Sequence, residues 1–206
     1  MSARTDPARL EIASSASSCA DLALLQSRAM LCVACTDLAA SRTTVVAGDF
    51  PPGARLFIVG EAPGAQEDAC GRPFVGKGGR LLDQLLASAG MDRAGVAVAN
   101  VLKCRPPGNR TPTRAEANRC RGWLDRQLEL VDPALVVTLG GTALAWALGP
   151  GHRLVDVRGW VHEWNGRLLL PSYHPSAALR FGPSGAPMAA LREDMVLAAD
   201  VLRRSA

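Results

Sequence analysis

The sequence predicts an α/β fold, a parallel sheet covered by helices on both faces. Short apolar runs bounded by turn residues alternate about four times with helical patterns. Each helical segment can serve as the crossover that parallel strands require. No internal repeat interrupts this order, and 206 residues suffice for one domain with a sizeable core.

Residues 1–18 are polar and Ser/Ala-rich and read as a flexible N-terminal arm, with residues 19–206 as the domain. Leucines 22, 24 and 25 suggest a short helix over residues 20–30, followed by Cys32-Val-Ala-Cys35. Residues 55–60, RLFIVG, form the first buried strand. Leucines 81, 82, 85 and 86 place a helix over residues 80–89, stopped by Gly90. Residues 96–100 are the second strand, and the prolines of CRPPGNRTP forbid regular structure after it. Thr113 and Glu116 form a capping box for a helix to about residue 130. Residues 135–139 are the third strand, with a short helix through Trp146 and a break at Gly149-Pro150-Gly151. A small hairpin is expected over residues 155–164 and a fourth strand over 168–170. Pro187 opens a closing helix carrying Leu191, Met195, Ala198 and Leu202. The four strands make the central parallel sheet.

Hydrophobic residues make up 48% of the chain, which excludes disorder throughout. A net charge of +4 permits a polyanionic partner without demanding one. Only two of the 23 basic residues, Lys77 and Lys103, are lysine. The rest are arginine, which grips phosphate through two hydrogen bonds, although a GC-rich genome gives the same bias. No run approaches the roughly 20 apolar residues of a membrane span, and the N-terminus lacks the apolar core of a signal peptide. A cytoplasmic protein with no membrane partner is expected. Six cysteines in a reducing compartment then need a purpose other than disulfides.

In open parallel sheets, ligands bind at the carboxyl ends of the strands. Three unusual segments fall there: GEAPG after the first strand, Asn100 after the second, and SYHPS after the fourth. Glu61 offers a carboxylate on a turn whose small residues let backbone N–H groups approach a ligand. Phe74, between Gly71 and Gly76, can present its face to a planar ring, though core packing is the commoner fate of a phenylalanine. His174, held by Pro175, can donate a hydrogen bond to a developing negative charge, or be satisfied in its own turn. Cys32 and Cys35 form a chelating pair, and Cys104 and Cys120 flank the proline-rich loop and the next helix. Four thiolates suit zinc or an iron–sulfur cluster; the wide second spacing disfavours a zinc ribbon. Cys19 and Cys70 read as spare.

Taken together, CVAC, GEAPGAQED, GRPFVGKGGRLLDQLL, NVLKCRPPGNRTPT with Cys120 beyond it, and YHPSAALR stand in the order of the family-4 uracil-DNA glycosylases, which the chain resembles from about Ala29 to its C-terminus. The resemblance implies a three-layer α/β/α sandwich and a [4Fe–4S] cluster on Cys32, Cys35, Cys104 and Cys120. It implies hydrolysis of the bond between uracil and deoxyribose in DNA, single- or double-stranded, leaving an abasic site. Glu61 and Ala62 fall on the first catalytic motif and His174 on the second. Phe74 falls on the uracil-stacking position, Asn100 on the uracil-reading one, Glu67 where the thymine methyl is blocked, and Asn109 on a further polar position. Ser176, Leu179 and Arg180 are expected to meet the DNA, Leu179 filling the gap left by the extruded base. In the better known family an aspartate stands where this chain has Ala62, so Glu61 or bound water must compensate.

Two rivals lack their own requirements. The branch of the superfamily that attaches covalently to uracil-DNA needs a histidine-containing loop, and this chain has no histidine between Gly60 and Gly151. A non-enzymatic metal module that only binds nucleic acid would leave Glu61, Phe74, Asn100 and His174 without a shared purpose.

Overall fold

The computed structural model describes residues 6–205. Three helices come first, α1 (Pro7–Ser17), α2 (Leu22–Met30) and α3 (Thr36–Ser41), then strand β1 (Leu56–Gly60). Helices α4 (Ala65–Cys70) and α5 (Lys77–Ser88) lead to β2 (Val96–Asn100), and α6 (Arg114–Val131) leads to β3 (Leu135–Leu139). Helices α7 (Gly141–Leu148) and α8 (Leu154–Val157) precede β4 (His162–Trp164) and β5 (Arg167–Ser172). Helices α9 (Pro175–Phe181) and α10 (Ala186–Arg204) close the chain.

The sheet runs β2-β1-β3-β5-β4. The four expected strands are its parallel members, and a fifth, β4, pairs antiparallel with β5 at the edge. The expected hairpin over residues 155–164 does not form. Residues 154–157 coil into α8, and the hairpin lies further on, between β4 and β5 around Asn165-Gly166, both at positive φ. Asn and Gly supply the left-handed backbone that a tight hairpin needs.

Strand alternation sorts the core into two layers. Phe57 and Val59 point to one face with Leu124, Leu128, Ala143 and Trp146 of α6 and α7. Leu56 and Ile58 point to the other, where Leu82 and Leu86 of α5 and Leu191 and Met195 of α10 cover them. This is the three-layer α/β/α sandwich. A third, smaller core joins α1, α2 and α6 through Ile12, Ala16, Leu25, Cys120 and Trp123.

That third core corrects the reading of residues 1–18 as a flexible arm. Residues 1–5 lie outside the described residues, but α1 is a docked helix. Asp6 caps it, accepting from Ala8 N–H, and pairs with Arg119 at 2.8 Å. A Cβ on Gly122 would stand 2.9 Å from the Ala13 Cα, so only glycine lets α1 and α6 approach this closely. The sparse apolar content of α1 concealed two residues, Ile12 and Ala16, that are buried on one face four positions apart.

Candidate active site

A cleft of about 520 Å³ opens at the carboxyl ends of β1, β2, β3 and β5, on the edge where the three segments were expected. Chain order explains its place. From β1 the chain steps outward to β2, then returns over β1 to β3, so the crevice sits where the winding reverses. Glu61, Ala62, Glu67, Phe74, Asn100, Asn109, His174 and Ser176 all line it.

Asn100 ends β2, paired in register with Gly60, and is 2% exposed. Its carboxamide takes no hydrogen bond from any other described residue, so donor and acceptor stay free for a ligand's edge. A Cβ on Gly60 would stand 2.4 Å from the Asn100 Oδ1 and 2.5 Å from the Phe74 ring, so Gly60 makes room for both.

Phe74 adopts φ 56°, a left-handed conformation that costs an aromatic residue energy. The strain is held by neighbours. A Cβ on Gly79 would fall 1.7 Å from the Phe74 carbonyl oxygen, so α5 must carry glycine there for the loop to pass. Helix α5 begins at Lys77, before the expected Arg80, because Gly78 and Gly79, poor helix formers, hide its first turn from a sequence reading. The Phe74 and His174 rings lie 5.9 Å apart at 35°.

Glu67 is the clasp of this loop. Its Oε1 accepts from Val75 and Gly76 N–H at 3.0 and 2.8 Å, and its Oε2 accepts from Gly64 N–H at 3.1 Å. With both oxygens committed to backbone, Glu67 fixes the wall of the cleft beside Phe74.

His174 caps α9, whose first position is Pro175. Ser176 N–H donates to the His174 Nδ1 at 3.1 Å, and the Ser176 hydroxyl lies 2.9 Å from the same atom. A ring nitrogen that accepts an N–H carries no proton, so in the neutral ring the proton is on Nε2. Burial holds the His174 pKa down to about 4, with the nearby Glu67 charge opposing. The group is therefore a neutral N–H donor at neutral pH.

Asn109, also at positive φ, accepts from Arg105 Nε at 2.8 Å through its Oδ1. Neighbouring Arg110, which sequence reasoning passed over, reaches the cleft and grips Glu116 with two bonds of 2.9 and 2.7 Å. That grip holds the Glu116 carboxyl down to about 2. Glu116 also accepts from Thr113 N–H, so the capping box doubles as the anchor of the proline-rich loop. The glycine pair 140–141 and Lys77 also line the cleft unforeseen; neither has a side-chain pattern that sequence could flag. Ser176, Leu179 and Arg180 are exposed on α9, and of the three only Ser176 lines the cleft.

A second, smaller pocket is lined by Cys32, Cys35, Cys104 and Cys120 together. Cys19 is buried elsewhere and Cys70 is exposed, and neither lines it. Burial pushes the Cys120 thiol up to about 12 and raises those of Cys104 and Cys35. Cations surround the four sulfurs. Arg42 donates to the Cys104 Sγ at 3.1 Å and Arg119 to the Cys35 Sγ at 3.9 Å. Lys103 lies wholly buried, its Nζ donating to the Asn100 carbonyl at 2.8 Å and to Gln127 at 2.6 Å; burial lowers its pKa to about 8. Trp123 lines the pocket with its indole N–H buried and unpartnered. Among the described residues, no group of three or more His, Cys, Asp or Glu side chains is set to hold a single metal ion.

A family model described as the uracil DNA glycosylase superfamily matches residues 47–195. The type-4 uracil-DNA glycosylase of Thermotoga maritima is 43% identical over 159 residues, covering 76% of this chain and 82% of its own length. That of Archaeoglobus fulgidus is 41% identical over 158 residues, covering 73% of this chain and 79% of its own. That of Sulfurisphaera tokodaii is 41% identical over 147 residues, covering 67% of each. The chain belongs to the uracil-DNA glycosylase superfamily. Within it, these relatives are type-4 enzymes.

Proposed function

We propose that the protein is a monofunctional uracil-DNA glycosylase of base excision repair, acting on uracil extruded from DNA. The observation that carries the reading is the neutral Nε2–H of His174 entering the same cleft as the free carboxamide of Asn100 and the ring of Phe74. Asn100 meets the uracil edge with a donor for O4 and an acceptor for N3–H. Cytosine reverses that pattern and leaves buried groups unpaired. Phe74 stacks on the base.

The bond between C1′ and N1 breaks with its electron pair on the base. His174 donates to the anion that forms, and as a neutral donor it need not surrender a proton to do so. A water oxygen then bonds C1′ on the sugar, its proton passing to the Glu61 carboxylate. Ala62 carries no carboxylate, which leaves Glu61 as the acidic side chain free to act there. Leu179 takes the place of the extruded base and Arg180 binds a phosphate. Lys103 cannot form a Schiff base, because its amine is buried against Gln127. Lys77, on the rim of the cleft, is the amine that a covalent mechanism would need.

The four cysteines would hold a [4Fe–4S] cluster. Four cysteines lining one pocket are the donor set such a cluster takes. The buried Trp123 N–H and the three cations suit an anionic, acceptor-rich occupant. Bound there, the cluster supplies metal–thiolate bonds that tie the CVAC turn to Cys104 and α6. Free thiols fit a reducing compartment, and we place the protein in the cytoplasm. No described helix is long and apolar enough to cross a membrane.

The test is incubation with single- and double-stranded oligonucleotides carrying uracil, followed by alkali. The expected product is an unnicked strand that alkali cleaves at the former uracil. A borohydride-trapped adduct lost in Lys77→Ala would overturn hydrolysis. For the cluster, anaerobically purified protein should be brown and contain iron, which Cys32→Ser should lose; stoichiometric zinc without iron would refute it.

A further inference from the structure

Glu61 is tied at two points and open at a third. Its backbone carbonyl accepts from Leu102 N–H at 3.0 Å, which pins the turn after β1 to the turn after β2. Its Oε2 accepts from the Thr142 hydroxyl at 2.5 Å. Its Oε1 takes no hydrogen bond from any described residue, and the side chain lines the cleft. A carboxylate on a loop otherwise samples several rotamers, so a strong bond to one oxygen fixes where the other points.

Thr142 is the second residue of α7, after the glycine pair 140–141. A short hydroxyl residue in a helix's first turn ordinarily serves that helix, but α7 has no side-chain cap. The Thr142 hydroxyl instead crosses to another element. The first-turn amides of α7 carry the positive end of the helix dipole, which favours a carboxylate there.

We infer that Thr142 is a positioning residue for the glycosylase reaction: through its hydrogen bond to Oε2 it holds Glu61 so that Oε1 faces the hydrolytic water. This rests on the proposed glycosylase activity and accounts for water activation with alanine at position 62. The hydroxyl acts only through Glu61 and touches neither base nor sugar.

The experiment is a double-mutant cycle in single-turnover uracil excision, with DNA half-saturation and Tm measured alongside. Thr142→Val keeps the shape and loses the donor. It should slow excision about tenfold or more, as a bond to a charged group implies, with half-saturation unchanged. Thr142→Ser, which restores the donor, should return the rate to within about twofold of wild type. In a Glu61→Gln background, Thr142→Val should have little further effect. Wild-type excision by Thr142→Val would overturn the inference. So would an equal fractional loss in the Glu61→Gln background, or a Thr142→Ser rate as low as that of Thr142→Val. A wild-type chain inert on every uracil substrate would overturn the glycosylase reading and this inference with it.

Discussion

A histidine that accepts from the amide two residues on has its proton placed for it, and the consequences can be measured. His174→Ala removes the donor proposed to meet the departing base, an expected loss of roughly 3–4 kcal/mol. Single-turnover cleavage should slow about a hundredfold or more with DNA affinity little changed. The acid dependence of stability also carries its signature. An ordinary histidine titrates near 6.5, whereas His174 holds out to about 4. As pH falls through that window the unfolded chain takes the proton first, so the native state loses stability that was fully present above about 6.5. The urea midpoint of the wild type should therefore fall more steeply between about pH 6.5 and 4 than that of His174→Gln. Asn100→Asp replaces the donor proposed to meet uracil O4 with a second acceptor. Excision should fall by at least two orders of magnitude while a gel-shift assay shows DNA binding retained. Wild-type excision by this variant would show that another group reads the base.

At the scale of elements, legibility followed the range of the interaction. The capping box at Thr113 and Glu116 is local, and α6 begins at Arg114 as it required. The five-residue runs of β1, β2 and β3 are wholly buried, as parallel strands covered on both faces must be, so their sequence was unambiguous. Helix α9 was not foreseen: seven residues opened by His174-Pro175 offer no helical period to read. The clasp made by Glu67 was hidden for another reason. Its partners are backbone amides up to nine residues away, which carry no side-chain signal. Gly79 belongs to the same class, since its need arises only where α5 meets the Phe74 loop. Gly79→Ala should force that loop aside, costing about 1–3 kcal/mol by urea denaturation and slowing excision by displacing the stacking ring. Unchanged stability and rate would mean the loop has slack that its φ of 56° at Phe74 does not suggest.

Across the molecule, β5 is tied to α10 by a polar knot inside the apolar layer. Asp194, 1% exposed, accepts from the Ser172 hydroxyl at 2.6 Å and from Arg158 at 2.7 Å. Arg158→Met leaves that carboxylate buried without its counter-charge, at a cost of about 3 kcal/mol. For a chain of this size, calorimetry should show Tm lower by roughly 6–12 °C, with excision at permissive temperature little altered. Distant pairings of this kind escape a sequence reading because nothing near residue 158 announces residue 194. The four parallel strands were legible but their order was not, because neighbours in the sheet are distant in the chain; the antiparallel edge strand is three residues long and too short to declare itself.

The cysteine pocket has walls from widely separated parts of the chain: Ile12 on α1, the CVAC turn, Cys104 after β2, and Cys120 with Trp123 on α6. Synthesis delivers them in that order, at about 5–20 residues per second. Cys32 and Cys35 thus leave the ribosome seconds before there is any α6 for α1 to lie on, and they wait as accessible thiols. Closure comes when Gly122 admits α1, and the pocket takes its final form only then. Any occupant held by all four cysteines would accordingly be taken up late in biogenesis, and a filled pocket would certify that the chain has been made at least as far as α6.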